Sequence, residues 1–416
     1  MNQTSPSSKP WIPYRWELVI LLWGTFFLNQ ADRQILNVVL PLIQTNLGTT
    51  DAEMGFIISG IILALAIMAP MAGIAGDRMN RRNMLLFSTI CWSLASVLMG
   101  VSSWLPILIL SRVVATGGGE AFYGPPAFAL LGTYHHKSRG LAMGIHQTAI
   151  YLGLIGAGTA AGWIGEVYGW QLPFLISGGL GLAMTVLLIW RLQAPPIRSN
   201  KDHPLPSVRD TLRVLANSKV AIYLSLSFGG LVFTLIGFLT WMPTFLHEEL
   251  GLNLAEAGFH ATFWHHIAAM IGVLVGGRLS DVLASRRRSA RVEMQAIALF
   301  AGVPFLMLMA WGSELWIVAI GMAGFGLFRG VYDSNIFAAV YDVIPNTYHA
   351  SVVGFMTLVA FLAATLAPVL LGAIKGSFGM RPGLSVLALG FLLGGLIVQF
   401  LAKPNLKKEY LSPLET

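Results

Sequence analysis

The sequence has few charged residues and almost no cysteine. Charged residues make up 11% of its 416 residues, whereas hydrophobic residues make up 55%. This leaves too little polar surface to cover water-soluble domains of that total length. The single cysteine, Cys91, lies inside an apolar run, which excludes a disulfide scaffold and a thiolate metal site. We therefore expect an integral membrane protein.

The sequence also lacks the short motifs of the main hydrolytic and ATP-driven classes. It contains no His-Glu-x-x-His zinc motif, no Gly-x-Ser-x-Gly nucleophile elbow and no Gly-x-x-x-x-Gly-Lys phosphate loop. These absences argue against an intramembrane enzyme and against an ATP-driven pump. We expect no metal and no cofactor, with a proton gradient as the energy source.

The apolar runs are long enough for twelve membrane-spanning helices. A bilayer core needs roughly 20 apolar residues per helix. The expected spans cover residues 17–44, 52–76, 83–102, 105–133, 140–165, 171–193, 219–246, 254–279, 291–311, 315–343, 350–374 and 383–402. The sequence therefore predicts an all-α membrane protein.

The net charge of +7 depends on where the basic residues lie. With a cytoplasmic N-terminus, the inside loops collect nearly all of them, and the outside loops carry only Lys375 and Arg381. This asymmetry predicts that both termini are cytoplasmic and that the number of spans is even. The charge is thus explained by topology and not by nucleic acid. We expect a multi-pass plasma membrane protein, in the inner membrane of a bacterium.

Two polar stretches divide the chain into expected units. Residues 1–16 are polar, without the pattern of a cleaved signal, and are expected to form a cytoplasmic tail. Residues 194–218 are rich in proline and polar residues and are expected to form a cytoplasmic linker. The linker separates six spans in 17–193 from six in 219–402, and 403–416 forms a second cytoplasmic tail.

A short motif occurs once in each half. Gly73-Ile-Ala-Gly-Asp77-Arg78-Met-Asn-Arg81-Arg82 follows the second span, and Gly277-Arg-Leu-Ser-Asp281 with Arg286 follows the eighth. Glycine lets two helices approach closely, and an Asp with Arg residues one turn on makes a charge-assisted latch at a helix end. A positive-inside loop alone explains the arginines but not the repeated glycine and aspartate.

The first copy resembles the loop signature of the major facilitator superfamily, and the second resembles its degenerate counterpart. The resemblance extends from about Arg15 to Lys403. It implies two six-helix bundles around a central cavity, alternating access by rocking of the bundles, and function as a monomer. It also implies gating contacts at the cytoplasmic face. The expected gating residues are Asp77, Arg78, Arg82, Asp281 and Arg286, with Asp333.

A few charged residues lie inside the predicted spans, where charges are costly and indicate function. Adjacent Asp32 and Arg33 differ by about 100° in helical direction, so each needs a partner on another helix. Arg112 and Glu120 are the candidates. Arg329 and Asp333 are spaced for an i, i+4 ion pair. The alternative is that these charges form only a static buried network.

The same residues resemble two branches of the superfamily. Asn29-x-x-Asp32-Arg33, with Arg112 and Glu120, is similar to the anion–cation symporters, which move sugar acids and other organic anions with protons. The Pro125-Pro126 pair after Glu120 and the Arg329–Asn335 stretch resemble the spinster-type lipid transporters. The preferred function is proton-coupled symport of a small organic anion, and a spinster-like lysolipid or lipid transporter is the alternative.

The spacing of the fourth-span charges departs from both branches. Their Arg and Glu are usually seven positions apart, whereas Arg112 and Glu120 are eight apart, with three glycines between them. One extra residue rotates the Glu by about 100° on an ideal helix. We expect the glycines to unwind the helix locally and to restore the facing of Glu120.

The proposed site uses these charges as a switch. A carboxylate in a low-dielectric cavity favours its neutral form, whereas a neighbouring guanidinium favours the charged form. Protonation of Asp32 or Glu120 would free Arg33 or Arg112 to bind the carboxylate of an anionic substrate. Asp342, near the end of its span, is expected to be solvated.

Further substrate-binding residues are expected at helical spacing in both halves. Of the adjacent His265 and His266, only one can face the cavity. The expected substrate-binding set, besides Arg33 and Arg112, is Asn29, Tyr123, Gln147, Tyr151, Trp241, His266, Arg329, Tyr332 and Asn335.

Overall fold

The structure is a computed structural model that describes residues 13–78, 80–135, 139–193, 208–345 and 348–411. Within these ranges, some side chains lie outside the description, namely those of 69–70, 73–78, 116–118, 125, 139–141, 144, 349–350, 407 and 410–411.

The described chain is helical almost throughout. The helices in the first half are α1 (Tyr14–Val38), α2 (Leu40–Leu47), α3 (Asp51–Arg78), α4 (Arg81–Val101), α5 (Leu105–Val113), α6 (Ala121–Tyr134), α7 (Arg139–Tyr168) and α8 (Gln171–Arg191). Those in the second half are α9 (Val208–Asn217), α10 (Lys219–Glu248), α11 (Leu254–Ala284), α12 (Ala290–Trp311), α13 (Leu315–Tyr341), α14 (His349–Ala364), α15 (Leu366–Phe378), α16 (Met380–Leu396) and α17 (Lys403–Leu411).

The ends of these helices have identifiable caps. The Asn80 side chain accepts a hydrogen bond from the Arg82 amide at 2.9 Å and begins α4, and Asn253 caps α11 through the Glu256 amide at 2.8 Å. Each cap satisfies an amide that has no partner inside the helix. Gly48 and Gly251 have φ values of 65° and 71°, which only glycine adopts readily, and they end α2 and the turn before α11.

Most of the predicted spans are present as single helices. Ten helices of the described ranges are long and apolar enough to cross a membrane. The predicted spans 17–44 and 105–133 do not meet that criterion. The first divides at Val39 into α1 and α2, and its α1 part carries buried polar side chains such as Asn29, Gln30 and Asp32. The second is interrupted by a π-helical segment, Val114–Glu120.

Smaller differences concern the polar segments. The expected linker 194–218 contains the helix α9, and its residues 194–207 lie outside the described ranges. The expected tail 403–416 begins with α17, which packs back on the bundle because the Glu409 carboxylate accepts a hydrogen bond from Ser218 Oγ at 2.7 Å. Large apolar side chains such as Leu274 (68% exposed) point outward, as expected for a surface facing lipid.

The two ends of the molecule are distinguished by their chain segments. We call the end that holds Tyr14, Gln193 and Ser218 the terminal end, and the end that holds Gly48 and Gly251 the remote end. Tyr14 Oη accepts a hydrogen bond from the Gln193 amide at 2.7 Å, so α1 begins where α8 ends. The helices run between these ends.

At the remote end the two halves of the chain touch directly. A Cβ added at Gly158 of α7 would lie 2.5 Å from the Gly258 carbonyl oxygen of α11, so only glycine permits this helix crossing. Nearby, Glu166 accepts a hydrogen bond from the Leu254 amide at 2.6 Å. Lys375 of α15 lies 2.6 Å from Asp51 of α3 and 2.9 Å from Glu248 of α10. These contacts close the remote end between the halves.

Candidate functional site

The first element of the site is a buried ion pair between α1 and α5. Arg112 Nη1 lies 2.9 Å from Asp32 Oδ2, and each side chain is about 5% exposed or less. Ser96 and Ser177 also donate hydrogen bonds to Asp32 Oδ1, at 2.5 and 3.0 Å. The guanidinium carbon of Arg112 lies 5.5 Å from the centre of the Phe174 ring. This carboxylate is thus solvated by protein groups instead of water.

The second element is an ion pair between the next residue of α1 and the end of the π-helical segment. Arg33 Nη1 lies 2.6 Å from Glu120 Oε1. Asp32 and Arg33 therefore turn to different partners, as their difference in helical direction requires. The four charged residues form two separate ion pairs.

The π-helical segment explains how Glu120 reaches Arg33 despite its spacing from Arg112. A π turn closes its hydrogen bond one residue later than an α turn and so absorbs an extra residue. The segment Val114–Glu120, which contains the three glycines, departs from α-helical winding as expected and does so as a hydrogen-bonded π-helix. Ser88 Oγ donates to the Gly119 carbonyl at 2.6 Å, and a Cβ at Gly119 would lie 2.5 Å from Trp92 Cβ. The glycine thus allows the wide segment to pack tightly on α4.

The third element lies on α13 in the second half. Arg329 Nε lies 3.1 Å from Asp333 Oδ2 in the expected i, i+4 ion pair. Arg329 Nη1 also contacts His265 Nε2 at 2.9 Å. Arg329 is a permanent donor, so this nitrogen of His265 accepts the hydrogen bond and His265 is neutral in this arrangement.

A cavity of about 380 Å³ lies between the two halves. Arg33 and Arg112 line it from the first half, and Arg329 and Asp333 line it from the second half. Tyr151 and His266 also line the cavity and contact each other, with ring centres 5.6 Å apart. Asp32 and Glu120 are not among the lining residues and contact the cavity through their arginines. Three ion pairs therefore meet at this cavity, and their formal charges cancel.

Other residues predicted to bind substrate pack elsewhere. Tyr123 donates to the Leu22 carbonyl at 2.6 Å and contacts His146 within the first half. Trp241 donates to the Pro368 carbonyl at 3.2 Å, and Tyr332 donates to Ser227 Oγ at 3.2 Å.

Three further predicted residues also lie away from the cavity lining. Asn29 is buried and accepts a hydrogen bond from Gln30, Asn335 is buried and donates to the Val331 carbonyl, and Gln147 is exposed on α7. None of these side chains is among those that line the cavity.

Several polar residues of the site were missing from the sequence prediction. Gln30, Gln34 and Asn37 line the cavity from α1. Gln30 and Asn37 lie three and four positions from Arg33, a spacing that could have indicated a shared face, whereas Gln34 is the direct neighbour of Arg33. Ser96 and Ser177 gave no such signal, because small polar residues are common in packed membrane helices.

Apart from Asp333, the expected gating residues lie at the terminal end. Arg82 donates to the carbonyls of Leu192 and Ile189 at 2.8 and 2.7 Å, and so joins α4 to the end of α8. Asp281 pairs with Arg291 at 3.2 Å and not with Arg286. The side chains of Asp77 and Arg78 lie outside the described part of the chain.

Asp342 differs from the expectation of a solvated side chain. Both of its carboxylate oxygens accept hydrogen bonds from Arg291 Nη1, at 3.0 Å each. Because Arg291 also holds Asp281, one guanidinium joins the ends of α11, α12 and α13. Within the described ranges, no cluster of His, Cys, Asp and Glu could hold a metal ion.

Curated proteins similar to this chain are named as transporters. The hexuronate transporter of Bacillus subtilis (strain 168) is 26% identical over 398 residues, which cover 92% of each chain. The D-galactonate transporter of Escherichia coli O6:H1 is 24% identical, over 92% of this chain and 94% of that protein. The similarity therefore extends over almost the whole length of these proteins.

The fold is also found in solved structures. A bacterial homologue of the human lysosomal transporter Spinster, in an inward-facing and unoccupied conformation, matches with a TM-score of 0.83 at 21% identity. The match covers 96% of this chain and 99% of that one. At this identity the likeness establishes the fold alone.

A family model assigns the chain directly. The model of the Major Facilitator Superfamily matches residues 22–301, which is more than half of the chain. The matched region contains the repeated Gly and Asp motif, both first-half ion pairs and part of the second half. This chain therefore belongs to the major facilitator superfamily and is a multi-pass membrane transporter, not an enzyme.

Proposed function

We propose that the protein is a proton-coupled symporter that moves a small organic anion by alternating access. The observation that carries this proposal is the buried Asp32–Arg112 pair beside the cavity. A carboxylate and a guanidinium in contact can exchange partners when a proton or an anion arrives. The proposed substrate is a carboxylate such as a sugar acid, and the names of the hexuronate and galactonate relatives support this class.

The proposed cycle begins with protonation of Asp32 or Glu120. Each carboxylate is held by one arginine, at 2.9 Å for Asp32 and 2.6 Å for Glu120. When a proton neutralises the carboxylate, its attraction for that arginine falls and the guanidinium becomes available to the substrate. Arg33 and Arg112 then bind the anion, with a fork geometry that suits a carboxylate. Loss of the proton on the other side recaptures the arginine and expels the anion.

Charge balance supports the coupling of one proton to each negative charge. The three ion pairs at the cavity are neutral when all of their groups are ionised. A monovalent anion alone would leave one net negative charge in a poorly solvated cavity, which is costly. One proton removes that charge, so binding of the anion and of the proton favour each other.

The proposed topology has twelve spans in two bundles of six, 17–193 and 219–402, with both termini in the cytoplasm. The remote end then faces outward and the terminal end faces the cytoplasm. The closed contacts of Lys375 and Gly158 therefore lie on the outer side of the cavity, as in an inward-facing carrier. We place the protein in a bacterial inner membrane, where it acts as a monomer without cofactors.

The alternative function is a spinster-like lipid or lysolipid carrier. The side chains that α10 contributes to the cavity lining are mostly apolar and would suit an acyl chain, which is the observation in favour of this alternative. The cavity volume of about 380 Å³ lies near the lower end of pockets for small molecules, about 300–1,000 Å³, and favours a small anion.

The test combines a binding screen with a transport assay. Purified protein is first screened against sugar acids, hydroxy acids and aromatic or alicyclic carboxylates by ligand-induced thermal shift, because ligands that bind the folded state raise its stability. The strongest binder is then added outside proteoliposomes that carry an inside-alkaline gradient and an internal pH dye. Proton influx above that of protein-free vesicles is expected. Absence of proton influx with every binder would contradict symport, and bound phospholipid would favour the lipid carrier.

A further inference from the structure

The walls of the cavity differ in polarity. The side chains that α10 contributes are apolar over more than three turns, followed by Thr240. They are Phe228, Leu231, Val232, Leu235, Ile236 and Leu239. Ile61 and Ile62 of α3 and Phe337 of α13 extend this surface. We call the α10 residues from Phe228 to Leu239 in this set the apolar wall.

Several polar side chains of the cavity already have hydrogen-bond partners within the protein. Asn37 donates to Gln34 Oε1 at 3.2 Å, and Gln30 donates to Asn29 Oδ1 at 3.1 Å. His266 Nδ1 contacts the Thr262 carbonyl at 2.7 Å. Arg33 and Arg329 are held in ion pairs. Each of these engaged groups would have to give up its partner before it could bind a hydroxyl group of a ligand.

Two buried donor atoms near the carboxylate-binding arginines lack a partner in this arrangement. They are Gln34 Nε2 and Arg112 Nε, on side chains that are 1% and 4% exposed. A buried donor without a partner is costly, so these two atoms favour a ligand that brings an acceptor. Neither atom is exposed to the cavity in this arrangement, so a carboxylate reaches them only when the Asp32–Arg112 pair opens as in the proposed cycle. The remainder of the ligand then lies in the cavity.

We infer that the cargo is a monocarboxylate with an apolar body, such as an alicyclic or aromatic acid, and not a polyhydroxylated sugar acid. This inference rests on the proposed function and keeps its carboxylate anion, but it replaces the sugar acid suggested by the names of the relatives with an acid that has few hydroxyl groups. The carboxylate lies at Arg112 and Gln34, and the apolar body lies against the apolar wall. Every hydroxyl placed against that wall would lose its hydrogen bonds to water without replacement, at a cost on the order of tenfold or more in affinity per group.

The test uses two acids with the same ring and the same carboxylate. Cyclohexanecarboxylate has no hydroxyl groups, whereas quinate carries several on that ring. Binding of each to the purified full-length protein in detergent is measured by isothermal titration calorimetry at one pH. We expect cyclohexanecarboxylate to bind at least about tenfold more tightly than quinate, since at least one hydroxyl would be unpaired.

Matched leucine variants on α10 locate the effect. Leu235→Gln adds hydrogen-bonding groups to the apolar wall and should reduce the preference for cyclohexanecarboxylate over quinate. Leu226→Gln is the control, because Leu226 is on the same helix, is 48% exposed and does not line the cavity. It should leave the preference unchanged. Equal loss of preference in both variants would overturn the role of the wall.

The remaining outcomes separate this inference from the proposed function. Equal or tighter binding of quinate overturns the apolar-cargo inference and leaves the symporter proposal standing, because quinate is itself an organic anion. Failure of both acids to bind, together with absence of proton influx for every carboxylate in the screen, overturns both. Displacement of cyclohexanecarboxylate by a lysophospholipid at far lower concentration overturns the inference in favour of a lipid cargo.

Discussion

Arg112 and Asp32 form a buried ion pair, with Nη1 and Oδ2 2.9 Å apart and with the Asp32 carboxylate also held by Ser96 and Ser177. Breaking such a pair from one side leaves a buried charge at a cost of about 3–5 kcal/mol. In the proposed cycle, this pair beside the cavity is the resting state that a proton or an anion opens. A change to either residue should therefore alter both the stability of the protein and its affinity for the anion.

The first prediction concerns Arg112→Ala. The Asp32 carboxylate would then keep its two serine donors but lose its cation, and the protein should fold with lowered thermal stability. Anion binding and uptake should be lost, as measured by titration calorimetry and by proteoliposome uptake. Arg191→Ala is the matched control, because Arg191 is 58% exposed in its ion pair with Glu17. Normal accumulation in Arg112→Ala would contradict the assigned site.

The second prediction separates exchange from accumulation. Glu120→Gln keeps the size and polarity of the group beside Arg33 but cannot release a proton. Exchange of labelled for unlabelled substrate across the membrane should continue. A pH gradient should no longer raise the internal substrate concentration above the external concentration. Glu256→Gln, at an exposed position in the first turn of α11, should change neither. Full gradient-driven accumulation in Glu120→Gln would remove Glu120 from the proton path.

The third prediction concerns the π-helical segment Val114–Glu120. Deleting Gly118 removes the extra residue, so an α-helix should replace the π turn and Glu120 should still face Arg33. Inserting one alanine after Gly118 should instead rotate Glu120 by about 100° and abolish uptake. Proteoliposome uptake compares the two variants. Loss of uptake in the deletion variant, with retained folding, would show that the π turn has a role beyond spacing.

The fourth prediction concerns the closed remote end. Lys375 bridges Asp51 and Glu248 across the two halves, so Lys375→Met should destabilise the closed contact and separate the halves there. Spin labels on cysteines at Asn46 and Ser377, with Cys91→Ala, should report a longer mean distance. Lys403→Met is the control, since Lys403 pairs with Glu293 within the second half. An unchanged distance distribution would mean that the helix contacts alone keep this end closed.

The fifth prediction compares two arginines at the terminal end. Arg291 holds both Asp281 and Asp342, so Arg291→Gln should lower both the melting temperature in detergent and the transport rate. Arg286 was the partner expected from the motif, but it is exposed, so Arg286→Gln should have little effect. A larger effect of Arg286→Gln would favour the pairing of Asp281 with Arg286.

The fold was largely predictable because a membrane imposes a length on each helix. The predicted span 219–246 is the helix Lys219–Glu248, and 315–343 is Leu315–Tyr341. The pairing of Asp32 and Arg33 with different partners was predictable for a similar reason. A charge inside a membrane needs an oppositely charged partner, and the predicted spans contain few charged residues. Hydropathy does not show breaks within a run, so the interruption at Val39 was not foreseen, whereas the glycines indicated the one at Val114–Glu120.

The cavity lining was less predictable because helical spacing identifies a face but not the neighbour that covers it. Tyr332 and Asn335 are both polar and close to Arg329, yet each is buried among other helices. Gln34 and Asn37 line the cavity, although nothing in their type distinguishes them from packing amides. The bridge from Lys375 to Asp51 joins residues from opposite halves of the chain, and no local pattern indicates such a contact.

The cancelled charges of the three ion pairs also determine how the transporter responds to membrane voltage. A carrier that loads one monovalent acid with one proton moves no net charge, so the electrical potential does no work on its loaded form. The membrane potential would do work only when the number of negative charges on the cargo differs from the number of protons transported with it. Uphill uptake of a monovalent acid should therefore persist when a potassium ionophore collapses the voltage and should stop when the pH difference is collapsed.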